Sequence, residues 1–79
     1  MNLEEQNFLQ ALGLRIRKRR EELNLTQADL GERCGLHRTF IGHVERGERN
    51  VALLNLRAIA RGLRVSLAEL LAEEPPQST

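Results

Sequence analysis

A glycine turn between two short helices constrains this chain more than any other feature. It lies in the stretch Leu25–Asn50, LTQADLGERCGLHRTFIGHVERGERN. Thr26 is placed to cap the first helix, with Asp29 three residues on as a shortened capping box. Ala28, Leu30 and Cys34 then supply the inward positions of about two turns. Gly35 ends the helix, because glycine enters the left-handed conformation without steric penalty. The second helix is expected to begin near His37 or Arg38 and to end at Gly47.

The second helix carries the functional signal. At 100° per residue, Ile41, Val44 and His37 fall on one side, and Thr39, Gly42, His43 and Arg46 on the other. Arg38 and Phe40 flank that outward stripe. A glycine inside a helix costs about 1 kcal/mol relative to alanine, so Gly42 points to close approach of another surface. A cationic, hydrogen-bonding helix face of this kind fits a DNA major groove. There arginine reads guanine, and threonine meets a base edge or a thymine methyl.

Size and composition narrow the rest. The 79 residues allow one domain. A chain this short buries only about 60% of its unfolded surface, so marginal stability is expected without oligomerisation. Two Phe and no Trp or Tyr leave an aliphatic core, as in a small helical bundle. No apolar run is long enough to span a membrane, and MNLEEQNF is acidic where a signal peptide would be basic. A single cysteine excludes an internal disulfide and suits a reducing, cytoplasmic setting. His37 and His43 point about 120° apart on a helix, so no metal pair is expected. No cofactor is expected either. No glycine-rich phosphate loop and no nucleophile–base pair marks the chain as an enzyme.

The net charge of +1 understates how the charge is distributed. Arg15, Arg17, Lys18, Arg19 and Arg20 lie within six residues, and Arg38, Arg46, Arg49, Arg57, Arg61 and Arg64 follow. The arginine run closes a first helix over about residues 4–23, whose apolar side is Phe8, Leu12, Ile16 and Leu23, with Leu3 and Leu9 nearby. Cations suit that helix end whether they are simply solvated or contact phosphate. Asn24 is placed for a left-handed terminus, and Gly13 has no local explanation. A fourth helix, about 53–61, offers Leu53, Leu56, Ile59 and Ala60 to the core and stops at Gly62. Ser66 and Glu69 form a capping box for a fifth, with Leu67, Leu70 and Leu71 on its apolar side. Pro75–Pro76 terminates it, and residues 75–79 are expected to be a disordered tail to a domain spanning 1–74.

The pattern L-T-Q-x-x-L…G-L-x-R-T-x-I…E-R-G-x-R-N resembles the helix-turn-helix of phage repressors and Xre-type bacterial regulators. The run HRTFIGHVERGERN in so short a chain is further similar to restriction–modification controller proteins. The likeness spans roughly residues 11–72 and implies an all-α, five-helix, phage-repressor-like domain. Its helix-turn-helix would occupy about 26–46 and its dimerisation helices about 53–73. The resemblance implies base contacts at Arg38 and Thr39, with Phe40, His43 and Arg49 as further candidates. Phe40 is equally suited to packing on a neighbouring helix. Phosphate contacts are implied at Gln27, Arg46, Asn50 and Arg17, with Asn50 alternatively tying down its loop. Arg20 and Glu45 are implied as a structural ion pair, and Glu32 is a candidate contact to RNA polymerase beside its plain reading as a solvated acid. Val51 and Ala52 replace the proline and the Ser or Thr common in relatives, which removes a helix cap worth about 0.5–2 kcal/mol.

One short helix reads too few base pairs for useful specificity, and a two-fold dimer matches palindromic half-sites one helical turn apart. Val51, Leu54, Leu67 and Leu71 are the candidate dimer interface. The expected partners are therefore double-stranded DNA, a second copy of the chain and, through Glu32, RNA polymerase. The resemblance implies a controller that activates at low dose and represses at high dose. A plain Xre-type repressor and an antitoxin-like interaction module of the same fold are the alternatives.

Overall fold

The computed structural model describes residues 1–73, as five helices and, among those residues, no strand. They are α1 (Leu3–Glu22), α2 (Gln27–Cys34), α3 (Arg38–Glu45), α4 (Leu53–Gly62) and α5 (Leu67–Leu71). The proline stop and tail read from the sequence lie outside the described residues. No helix among them is long and apolar enough to cross a membrane.

Local chemistry starts three of the helices in the same way. Asn2, Thr26 and Ser66 each accept from the backbone N–H three residues on, while Glu5, Asp29 and Glu69 reach back to the cap residue. Each box satisfies two backbone donors that a helix start otherwise leaves orphaned. Asn2 brings the start of α1 forward to Leu3. His37 caps α3 in place of Ser or Thr, with Nδ1 accepting from the Thr39 N–H at 3.0 Å. Only α4 starts without a side-chain cap, at Ala52. Asn24 (φ 58°) and Gly35 (φ 72°) take the left-handed conformation that turns the chain into α2 and out of it.

The core is aliphatic and draws on every helix. Ile16, Leu30, Ile41 and Ile59, one from each of the first four helices, are fully buried with Leu63. Each contributes about 1.5–3 kcal/mol by leaving water. Leu12, Val44, Leu56, Ala60 and Leu70 complete the cluster.

Several sequence assignments need correction. Ala28 is exposed, because two residues from Leu30 is 200° around a helix and the two cannot share a face. Leu3 and Leu53 also face outward rather than into the core. α4 does end at Gly62, but not through a left-handed glycine: Gly62 is its buried last residue, and the left-handed residue is Arg64 at φ 57°. A Cβ on Gly62 would sit 2.8 Å from Cys34 Sγ and 3.1 Å from Leu30 Cδ1, so its absence lets α4 close on α2. Gly13 does the same for α1 and α3. A Cβ there would overlap the main-chain carbonyl of Glu45 and lie 2.5 Å from that of Val44.

Candidate nucleic-acid interface

α3 is held from beneath by a buried polar cluster. Arg20 donates through Nε to Glu45 Oε2 at 2.6 Å and through Nη2 to Oε1 at 3.0 Å. Its Nη1 donates to the Leu25 carbonyl at 2.7 Å. Gln27 adds a third donor to Glu45, Nε2 to Oε1 at 3.1 Å. The two charged side chains are only 11% and 3% exposed. A carboxylate so far from water is tolerable only because its lone pairs are met by a forked guanidinium and an amide. The cluster thus joins α1, the α1–α2 connection, the start of α2 and the end of α3.

This placement changes the roles of two residues. Gln27 is half-buried and lies over Gly42, where a Cβ would meet its Oε1 at 3.4 Å and Arg46 Nη1 at 3.2 Å. Gly42 is therefore buried beneath two side chains rather than part of the exposed stripe. His37, assigned to the apolar side, is exposed and spent on the helix cap.

The exposed face that remains carries Arg38 and Thr39 at the start of α3. Phe40 is half-buried against the core, and the Arg49 guanidinium lies over its ring at 5.8 Å from the centroid. That cation–π contact draws the loop arginine back toward the helix. At the other end, His43 Nδ1 lies 2.8 Å from Glu48 Oε1, and Arg46 Nε donates to the same oxygen at 3.1 Å. These hydrogen bonds, that of His43 first, hold the Glu48 carboxyl below the usual carboxylate range.

The remaining candidates separate by environment. Arg17 is exposed and loosely paired with Glu21 at 3.5 Å. Asn50 borders a cavity of about 320 Å³ that Glu4, Glu5 and Glu73 also line, so a phosphate there would meet three carboxylates. That makes it the poorest of the phosphate candidates. On α2, the Asp29 carboxylate is occupied by the cap, whose Thr26 N–H and hydroxyl hold it below its ordinary value. Glu32 stays exposed beside it. Burial pushes the Cys34 thiol up, which disfavours the reactive thiolate. Leu54 is 73% exposed, while Val51, Leu67 and Leu71 are half-buried against the core.

Beyond Arg20, two more cations of the α1 run, Arg15 and Arg19, are structural, which sequence reading missed. Arg15 donates to the Leu70 carbonyl at 2.8 Å, Arg19 to that of Leu63 at 2.9 Å and, from α2, Arg33 to that of Gly62 at 3.1 Å. Each satisfies a carbonyl at or near the end of α4 or α5. Arg17 and Lys18 are left facing outward.

A short helix clamped on its inner side, entered through a glycine turn and exposing arginine and threonine at its leading end, defines a helix-turn-helix DNA-binding module. The chain belongs to the helix-turn-helix family, whose model matches residues 16–70. It is similar to control protein C.SmaI of Serratia marcescens, 48% identical over 59 residues covering 75% of this chain and 70% of that protein. Among solved structures it resembles the restriction–modification controller protein C.AhdI from Aeromonas hydrophila. There the TM-score is 0.77 and the identity 40%, over 78% of this chain and 94% of that one. It also resembles the P22 c2 repressor in complex with a synthetic operator, with a TM-score of 0.73 and 38% identity over 76% and 91% of the two chains. The chain is a DNA-binding transcription regulator closely related to the restriction–modification controllers. Its family is one of regulators, not of enzymes.

Proposed function

We propose that the chain is a homodimeric controller that binds palindromic operators next to its own gene, activating at low dose and repressing at high dose. One observation carries the DNA-reading part: the buried Arg20–Glu45–Gln27 cluster fixes α3 while Arg38 and Thr39 stay exposed at its leading end. Arg38 and Thr39 read base edges, and Phe40, His43 and Arg49 border the same reading face. Gln27 and Arg46 flank them toward the backbone, with Arg17 as an outer phosphate contact. The Gln27 amide keeps one N–H and the α2 N-terminus available for a phosphate oxygen while its other N–H holds Glu45.

Dimerisation is supported by Leu54 and Leu53, which are 73% and 64% exposed on α4. Large apolar side chains so exposed gain from a partner surface. Val51, Leu67 and Leu71, half-buried against the core, are the other candidate interface residues. Glu32, the carboxylate on α2 that its own cap does not consume, is the proposed polymerase contact.

Footprinting of purified protein on DNA upstream of its gene, at stated salt, tests this reading. Two adjacent palindromes filling in order as protein rises are expected. The likeness to the P22 c2 repressor favours a plain repressor as the second reading, and a single protected palindrome would select it. Absence of protection at micromolar protein would contradict both.

A further inference from the structure

The two histidines of the helix-turn-helix use the same ring nitrogen in opposite ways. His37 Nδ1 accepts the Thr39 backbone N–H at 3.0 Å, so it carries no proton. His43 Nδ1 lies 2.8 Å from a carboxylate oxygen of Glu48, which can only accept. The His43 proton therefore sits on Nδ1. Arg46 Nη2, at 3.3 Å from the same nitrogen, is the longer and subordinate contact. Arg46 Nε donates to the same Glu48 oxygen and keeps the carboxylate in place.

We propose that Glu48 is a positioning residue for DNA readout: it holds the neutral His43 ring as the Nδ1–H tautomer, so that bare Nε2 accepts from an amino-bearing base edge. This inference rests on the DNA-reading role proposed for α3. The matching major-groove donors are adenine N6 and cytosine N4, whereas guanine N7 and O6 and thymine O4 present only acceptors. Glu48 thus contributes to sequence choice without touching a base. Its side chain is 50% exposed and belongs to the loop after α3, so its removal leaves the core intact. The carboxylate engages Arg46 through Nε alone, so the remaining guanidinium N–H groups can meet a phosphate while Glu48 stays in place.

Long-range proton–nitrogen correlation spectra of the full-length chain, at about pH 8 where histidine is ordinarily neutral, read the tautomers without DNA. His43 is expected as Nδ1–H and His37, in the same spectrum, as Nε2–H. In Glu48→Ala the His43 signals are expected to move toward the Nε2–H form. Selection from an operator library then reads the consequence. His43→Ala and Glu48→Ala are each expected to lose about three- to tenfold of the preference for A or C at one shared base pair. Glu48→Gln, whose amide oxygen still accepts from Nδ1–H, is expected to retain it.

A wild-type His43 in the Nε2–H form overturns the proposal. So does Glu48→Ala keeping a preference that His43→Ala loses. If Arg38→Ala relaxes another base pair while Glu48→Ala changes none, the tautomer proposal falls alone and the DNA reading stands. If wild-type protein selects no sequence although His43 shows Nδ1–H, the DNA reading fails and takes the readout role with it.

Discussion

Adjacent residues at the end of α3 make arginine–glutamate pairs that face opposite ways. Glu45 meets Arg20 inside the molecule, with side chains 3% and 11% exposed. Arg46 meets Glu48 outside it, with side chains 55% and 50% exposed. The inner pair has exchanged hydration for a fork of hydrogen bonds, and removing either partner strands a buried charge. The outer pair remains in water, where side-chain entropy and salt screening offset most of such a contact. Identical chemistry therefore serves two ends: the inner pair fixes where α3 lies, and the outer one stays in solvent where DNA can reach it.

The largest expected break in this contrast is Arg20→Ala. It leaves Glu45 buried with only Gln27 as donor and should cost about 3–5 kcal/mol. Urea denaturation followed by circular dichroism would show it, and an unchanged midpoint would refute the structural role. Next is Gly13→Ala, which keeps every charge but drives a methyl into the carbonyls of Val44 and Glu45. A loss of about 1–3 kcal/mol is expected from overpacking, read in the same assay. Arg46→Ala should change stability by less than about 1 kcal/mol. Its signature is instead a salt dependence of DNA binding shallower by about one phosphate contact. Arg46→Ala that unfolds the protein would erase the distinction between the pairs.

The smallest effect is a pH dependence at the start of α2. The Asp29 carboxyl is held below its unfolded value by the Thr26 N–H and hydroxyl. Its contribution is therefore present above the unfolded carboxylate pKa and lost as pH falls through the lower folded one. Thermal unfolding should fall off toward acid pH less steeply in Asp29→Asn than in wild type. Equal acid slopes would contradict the capping assignment.

What was legible in the sequence was the chemistry between near neighbours. The caps at Thr26 and Ser66 and the turns at Asn24 and Gly35 each depend on residues within four positions of one another. The phase of the apolar residues located Ile16, Leu30, Ile41 and Leu56 for a related reason, since helical period relates them without tertiary knowledge. Periodicity does not say which apolar residues find a partner, so Leu3 and Leu53 were misassigned to the core. Gly13 and Gly62 were opaque because each is explained by a helix brought alongside from elsewhere in the chain. Arg15 and Arg19 likewise read as a cationic helix end, because the carbonyls they satisfy lie 55 and 44 residues away. At the interface, Gln27 was legible only as a phosphate contact implied by resemblance, and its bond to Glu45 emerged only once α2 and α3 were packed.

The central claim is that α3 reads bases at its leading end because its trailing end is locked to α1. Its most direct test is the affinity of wild-type and Arg38→Ala protein for a panel of operators changed one base pair at a time, at fixed salt. Arg38→Ala is predicted to lose about 1–3 kcal/mol on the preferred operator and to level the preference at one base pair while keeping it elsewhere. An Arg38→Ala protein whose preference matches wild type at every position would contradict the claim.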